Sequence, residues 1–117
     1  MTEQSSAFLL DDQMQWEDLG GGVQRQIMGY NGDLMMVRVK FETGAVGVQH
    51  QHIHTQVTHV HSGVFEATID GKVQRLKTGD GFYAEPMIWH GVVCLEAGIL
   101  IDSFSPVRLD FLEKQAK

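Results

Sequence analysis

Five of the six histidines fall in one short window, His50-Gln-His52-Ile-His54-Thr-Gln56-Val-Thr-His59-Val-His61, and the sixth, His90, lies far downstream. Neutral imidazole is the commonest protein ligand for a divalent metal, and two on one strand face begin a chelating site. Alternate side chains of an extended segment share a face, so His50, His52, His54 and Gln56 have one parity and His59 and His61 the other. The alternative is a surface strand that happens to be rich in histidine. An affinity tag is excluded, because the window is neither terminal nor uninterrupted. A second group of chemistry-bearing residues stands in Ile99-Leu-Ile-Asp102-Ser-Phe104-Ser-Pro-Val-Arg108. Parity groups Leu100, Asp102 and Phe104. Facing inward, Asp102 is a carboxylate in an apolar mouth, poised to exchange a proton, and Arg108 can reach back as a fork for an anion. Facing outward, Asp102 merely ends a strand, and Arg108 pairs with Asp110 or Glu113 on the surface. Parity alone leaves both readings open.

Such residues need a rigid frame, and the chain reads as strand after strand. Val23–Tyr30 runs into Asn31-Gly32, a dipeptide that readily takes the positive φ angles of a tight hairpin turn. Leu34–Phe41 follows and ends at Thr43-Gly44. Val64–Ile69, Asp70-Gly71 and Val73–Leu76 give the strongest hairpin signal. Gly79-Asp-Gly81 breaks the chain before Phe82–Ala84. His90–Leu95 and Ile99–Phe104 read as a last strand pair joined across Glu96-Ala-Gly98. Roughly eight strands at spacings of about 8–12 residues predict an all-β antiparallel sandwich or barrel. Pro106 opens a short C-terminal helical turn, with Leu109, Phe111 and Leu112 as its apolar face.

The 117 residues suit a single domain, 1–117. With 9 Lys+Arg against 15 Asp+Glu, the net charge of -6 argues against a nucleic-acid partner, which needs a basic face. No apolar run approaches the roughly 20 residues of a membrane helix. The N-terminal residues lack the pattern of a secretory leader, and one cysteine excludes an internal disulfide framework. The expected compartment is the cytoplasm.

Two stretches resemble the paired motifs of the cupins. Gly44-x5-His50-x-His52-x3-Gln56-x6-Gly63 is similar to G-x5-H-x-H-x3–4-E-x6-G, with Gln56 in the place of Glu. Gly79-x5-Glu85-x-Met87-x2-His90-x3-Cys94 has the spacing of G-x5-P-x-G-x2-H-x3-N and keeps its glycine and histidine. The resemblance implies a small jelly-roll barrel in which His50, His52, Gln56 and His90 hold one divalent metal. Three imidazoles and an amide accept nickel, zinc, iron, cobalt or manganese. That set is neutral, so the ion keeps its full charge, favouring anionic ligands and Lewis-acid chemistry over oxygen activation. His54 would lie beside the site as a substrate contact or a support for its neighbours. Tyr83 is a candidate cavity-lining, substrate-binding residue. His59 and His61 are expected on the opposite face or at a subunit contact.

A closer resemblance is to the KdgF family of small cupins, which serve pectin and alginate catabolism. It rests on Asp102-x-Phe104-Ser-Pro-x-Arg108, Asp110-Phe111, Cys94-Leu-Glu-Ala-Gly98, Trp16, Gly22-Val-Gln-Arg25 and Gly44-Ala-Val-Gly47. It implies an enzyme that linearises 4,5-unsaturated uronate monosaccharides to the 5-keto form, working as a homodimer. Asp102 would be the general acid/base, Arg108 would help bind the substrate carboxylate, and Phe104 would shape the pocket. The competing readings are another metal-dependent cupin enzyme, an isomerase or dioxygenase, and a non-catalytic binder of sugar acids. Oxygen uptake would mark the first, and binding without turnover the second.

Overall fold

The computed structural model describes residues 3–115. A 3-10 turn at Asp11–Gln13 precedes β1 (Glu17–Gly20), β2 (Val23–Tyr30), β3 (Met35–Phe41), β4 (Val46–His50) and β5 (Thr55–Ile69). β6 (Lys72–Lys77), β7 (Gly81–Ala84), β8 (His90–Ser105) and α1 (Leu109–Gln115) complete the order. The strands pair antiparallel in the sequence β1-β2-β3-β8-β5-β6, with β4 also on β8 and β7 also on β5. This is the expected all-β jelly roll. Among the described residues, no helix is long and apolar enough to cross a membrane.

Two long strands carry the architecture. The first part of β5 pairs with the second part of β8, from Thr55 against Ser105 to Ser62 against Ile99. Its second part pairs with the start of β8, ending with Ile69 against His90. The register breaks between Val60 and Phe65, where both strands bend together. Gly63 sits there at φ 85, and a Cβ on it would lie 2.6 Å from the Glu96 carbonyl oxygen. Gly98 lies against the Ser62 carbonyl with no room for a side chain. Glu96-Ala-Gly98 is therefore the bend of one continuous strand, not the joint of a hairpin as its turn-like composition predicts. Glycine marks a close backbone approach here rather than a reversal.

The two hairpin signals resolve differently. Asp70 and Gly71 take φ 52 and 78 and make the tight turn their types favour. Asn31-Gly32 does not use positive φ. The Asn31 side-chain oxygen instead accepts from the N–H groups of Asp33 (2.9 Å) and Leu34 (3.2 Å), closing a longer loop. The C-terminal helix begins at Leu109, later than Pro106 implies, and Leu109 is exposed while Phe111 and Leu112 pack inward.

Alternation fills the interior. Met35, Val37 and Phe41 point in from β3 while Met36 points out. One cluster gathers Phe41, Val60, Phe65, Cys94 and Leu100, with Phe41 and Phe65 edge to face at 5.2 Å. A second gathers Ile27, Met35, Val37, Phe104 and Val107. Each fully buried large apolar side chain contributes about 1.5–3 kcal/mol, and the two clusters hold rigid the walls of the cavity between them.

Candidate active site

A cavity of about 230 Å³ opens between the clusters, with His50, Gln56, His90, Asp102, Phe104 and Arg108 in its wall. A larger open groove of about 750 Å³ runs along the N-terminal segment beside Tyr30 and Leu34. It gathers no cluster of titratable groups, so the chemistry belongs to the smaller cavity.

His50 ends β4 and His90 begins β8, opposite each other in the ladder, and their rings lie 4.4 Å apart. His52 stands in the loop before β5, and Gln56 is buried in the first turns of that strand. The Nδ1 of His50, His52 and His90 lies 2.8, 3.0 and 2.9 Å from the carbonyl oxygens of Val48, His54 and Ile88. A carbonyl only accepts, so each Nδ1 carries the proton and each Nε2 presents a lone pair. The three rings bring candidate ligand atoms within 4.8 Å of one another. Burial, the largest influence, holds His52 and His90 below the ordinary histidine range and so keeps them neutral.

Gln56 completes the set. Its Nε2 donates to the Thr58 hydroxyl at 2.9 Å and toward Asp102 at 3.4 Å, which turns its Oε1 to the histidines. That oxygen lies 2.9 Å from His52 Nε2 and 3.0 Å from His90 Nε2. Lone pairs therefore face lone pairs with no proton among them, an arrangement that a cation resolves. The residues present fit a divalent metal held by three imidazoles and an amide oxygen.

The Thr58 hydroxyl passes the link on, donating to Asp102 Oδ1 at 2.6 Å. Asp102 is half-buried in the cavity wall. Burial pushes its carboxyl up to about 6, against the hydrogen bond from Thr58, the charge of Arg108 and the hydrogen bond from Gln56. An acid tuned near neutrality can both give and take a proton. Phe104, beside it, is buried and meets the His52 ring edge to face at 5.8 Å.

The family model for the cupin domain matches residues 37–101. The chain is a cupin. It is 50% identical over 107 residues to the pectin degradation protein KdgF of Dickeya dadantii (strain 3937), covering 90% of this chain and 97% of that one. It also belongs to the KdgF family on that ground. The structure of KdgF from Halomonas sp. is similar at a TM-score of 0.87 and 42% identity, over 92% of this chain and 99% of that one. The crystal structure of an RmlC-like cupin from Shewanella frigidimarina NCIMB 400 reaches 0.91 and 46%, over 92% and 97%.

In this cupin the four residues His50, His52, Gln56 and His90 come together, although not through one strand face. The chain leaves β4 after His50 and re-enters a strand at Thr55, so parity fails across the loop. His54, of the same parity, stays out of the cavity wall. Its ring packs on those of His52 and Phe104, and its buried Nδ1 has no partner. Tyr83 does not reach the cavity either. It is 58% exposed on the outer face of β7, and Phe82 takes the inward position. His59 and His61 are exposed on the outside of β5.

Arg108 combines the two readings left open by its sequence. It is buried and lines the cavity, yet its Nε and Nη2 donate to Asp110 at 3.1 and 2.9 Å. Against the upward push of burial, that fork holds the Asp110 carboxyl below its usual range. The fork aims the guanidinium rather than removing it from the site. Sequence reasoning gave no site role to Arg25, Thr58, Phe82 or Phe111, all of which touch the cavity or its hydrogen-bond chain. For Arg25 and Thr58 the available signal was parity, with Val23 and Ile27 in β2 and Gln56 and Val60 in β5.

Proposed function

We propose that this protein opens the ring of 4,5-unsaturated uronate monosaccharides from pectin or alginate and delivers the linear 5-keto acid. The observation that carries the reading is a half-buried carboxyl tuned near neutrality, Asp102, hydrogen-bonded through Thr58 and Gln56 to a three-histidine centre on one sugar-sized cavity. The likeness to a protein named for pectin degradation supports the same substrate class.

The substrate is at once an enol ether and a hemiacetal, and its linearisation moves a proton without moving electrons between molecules. Ionised Asp102 takes the proton of the C1 hydroxyl as the bond from C1 to the ring oxygen breaks, which leaves an aldehyde at C1 and an enolate at C5. Protonated Asp102 then returns that proton to C4, and the enolate becomes the 5-ketone. Taking the proton in the first step makes Asp102 the acid of the second, so one group serves both steps. A divalent ion bound by His50, His52, Gln56 and His90 would supply Lewis-acid polarisation of substrate oxygens. Arg108, aimed by Asp110, holds the substrate carboxylate. Phe104 presses on the ring and keeps water from the enolate. The reading includes a homodimer, supported by exposed apolar Met36, Val57 and Tyr83, which line up with Ser103 across the outer face.

The test mixes metal-loaded protein with lyase-generated unsaturated uronate and follows loss of the conjugated ultraviolet chromophore. Acceleration over the spontaneous rate is expected, with near-complete loss in Asp102→Ala and after chelation. No acceleration by the metal-loaded wild type overturns the reading.

A further inference from the structure

Arg25 is 4% exposed, stands on β2 and lines the same cavity as Arg108. It repeats the design of Arg108 from a different element. Its Nε and Nη2 donate to Glu17 at 3.3 and 3.2 Å, as those of Arg108 donate to Asp110. Both guanidiniums stack on one ring, that of Phe111, at 3.9 Å for Arg25 and 4.1 Å for Arg108. Neither Glu17 nor Asp110 belongs to the cavity wall. The interior is therefore lined by two cations, and their counter-charges stand behind them. Each guanidinium is buried while its acid stays half-buried (Glu17) or exposed (Asp110), so the desolvation cost falls on the cation, and an anion in the cavity would offset it. With the Nε–Nη2 edge of each clamped on its acid, the Nη1 ends of two oriented guanidiniums on one small cavity fit recognition of an anion.

We propose that Arg25 is a second substrate-binding residue, sharing with Arg108 the carboxylate of the bound sugar acid. The inference rests on the uronate reading above and adds to it a residue and a division of labour. Arg108 also lies over the Phe104 ring, 5.0 Å from its centroid, and Phe104 meets the His52 ring at 5.8 Å, whereas Arg25 stacks on Phe111 at the far side of that ring cluster from the histidines. Arg108 thus sits against the reacting groups, and Arg25 holds the substrate from farther away. Its loss weakens binding more than it slows chemistry.

The test compares wild type with Arg25→Gln, Arg25→Lys and the double variant Arg25→Gln/Glu17→Gln, which leaves no unpaired buried acid if the single change impairs folding. Metal content and thermal melting verify that each variant is loaded and folded. KM for unsaturated uronate should rise at least tenfold in Arg25→Gln and in the double variant, with kcat within about threefold of wild type. Arg25→Lys should recover part of the loss. Equilibrium binding of a saturated hexuronate should fall by the same factor, while binding of the neutral aldohexose of the same configuration should change by less than twofold. A KM within twofold of wild type in the folded double variant overturns the proposal, as does equal weakening of the acid and the neutral sugar. Wild type that neither turns over the unsaturated uronate nor prefers acid to neutral sugar would instead defeat the underlying reading, before any variant is compared.

Discussion

Asp102→Asn isolates the tuned carboxyl, because the amide keeps its shape and can still accept the Thr58 hydroxyl. Asp102 rises from 3.8 to about 6 in the fold, chiefly through burial. A carboxyl whose folded value exceeds its unfolded one binds its proton more tightly in the native state. Its contribution to stability is complete below about pH 4 and is lost as pH rises through about 6. The full difference corresponds to about 3 kcal/mol. Metal-free wild type should therefore lose about 3 kcal/mol relative to metal-free Asp102→Asn between about pH 3 and pH 8. Urea unfolding of both proteins at intervals over that range, with chelator present, gives the difference directly. The histidines titrate in both proteins and cancel. A difference that stays constant with pH, or that shrinks as pH rises, would refute the claim that burial dominates at Asp102. Metal loading should flatten the difference, because a nearby cation favours the ionised carboxylate.

Gln56→Glu replaces an amide donor 3.4 Å from Asp102 with a second carboxylate. Metal should be retained more tightly against chelator, while the Asp102 inflection in the pH–rate profile moves upward and kcat at neutral pH falls at least tenfold; competition titrations and the profile measure both. Thr58→Val removes the hydroxyl that donates to Asp102 at 2.6 Å. It should cost about 1–3 kcal/mol in urea unfolding and raise the same inflection by about one unit, with metal content unchanged.

The fold was legible because its strands alternate and its turns carry glycine, as at Asp70-Gly71. The errors share a cause. Gly98 reads as a turn residue, and only the Ser62 carbonyl pressed against it, far away in sequence, explains why glycine is there. His52, His54 and Gln56 read as one strand face, but the chain bends between them, so the cupin resemblance named the candidate ligand set without its geometry. Tyr83 and Phe82 are adjacent aromatics, and nothing local to the sequence says which one faces inward. Pairing with Val57 and Thr58 decides it, turning Phe82 toward the cavity. Arg25 received no site role because its partners Glu17 and Phe111 come from opposite ends of the chain.

Gln56 explains why the centre and the acid work as one unit. An amide has a carbonyl for the metal side and an N–H for the other, so one side chain offers a lone pair to the histidine centre and a donor to Thr58 and Asp102. A glutamate in its place offers only acceptors when ionised. It would neutralise part of the ion's charge and set a like charge against Asp102. With the amide, the ligands carry no charge, and Asp102 remains the lone carboxyl in the cavity wall. In the proposed reaction the proton would then have one place to reside, and the positive charge of a bound ion and of two arginines would stay available for an anionic substrate. The departure from the usual cupin motif is thus the feature that would suit this site to the proposed proton transfer on a sugar acid.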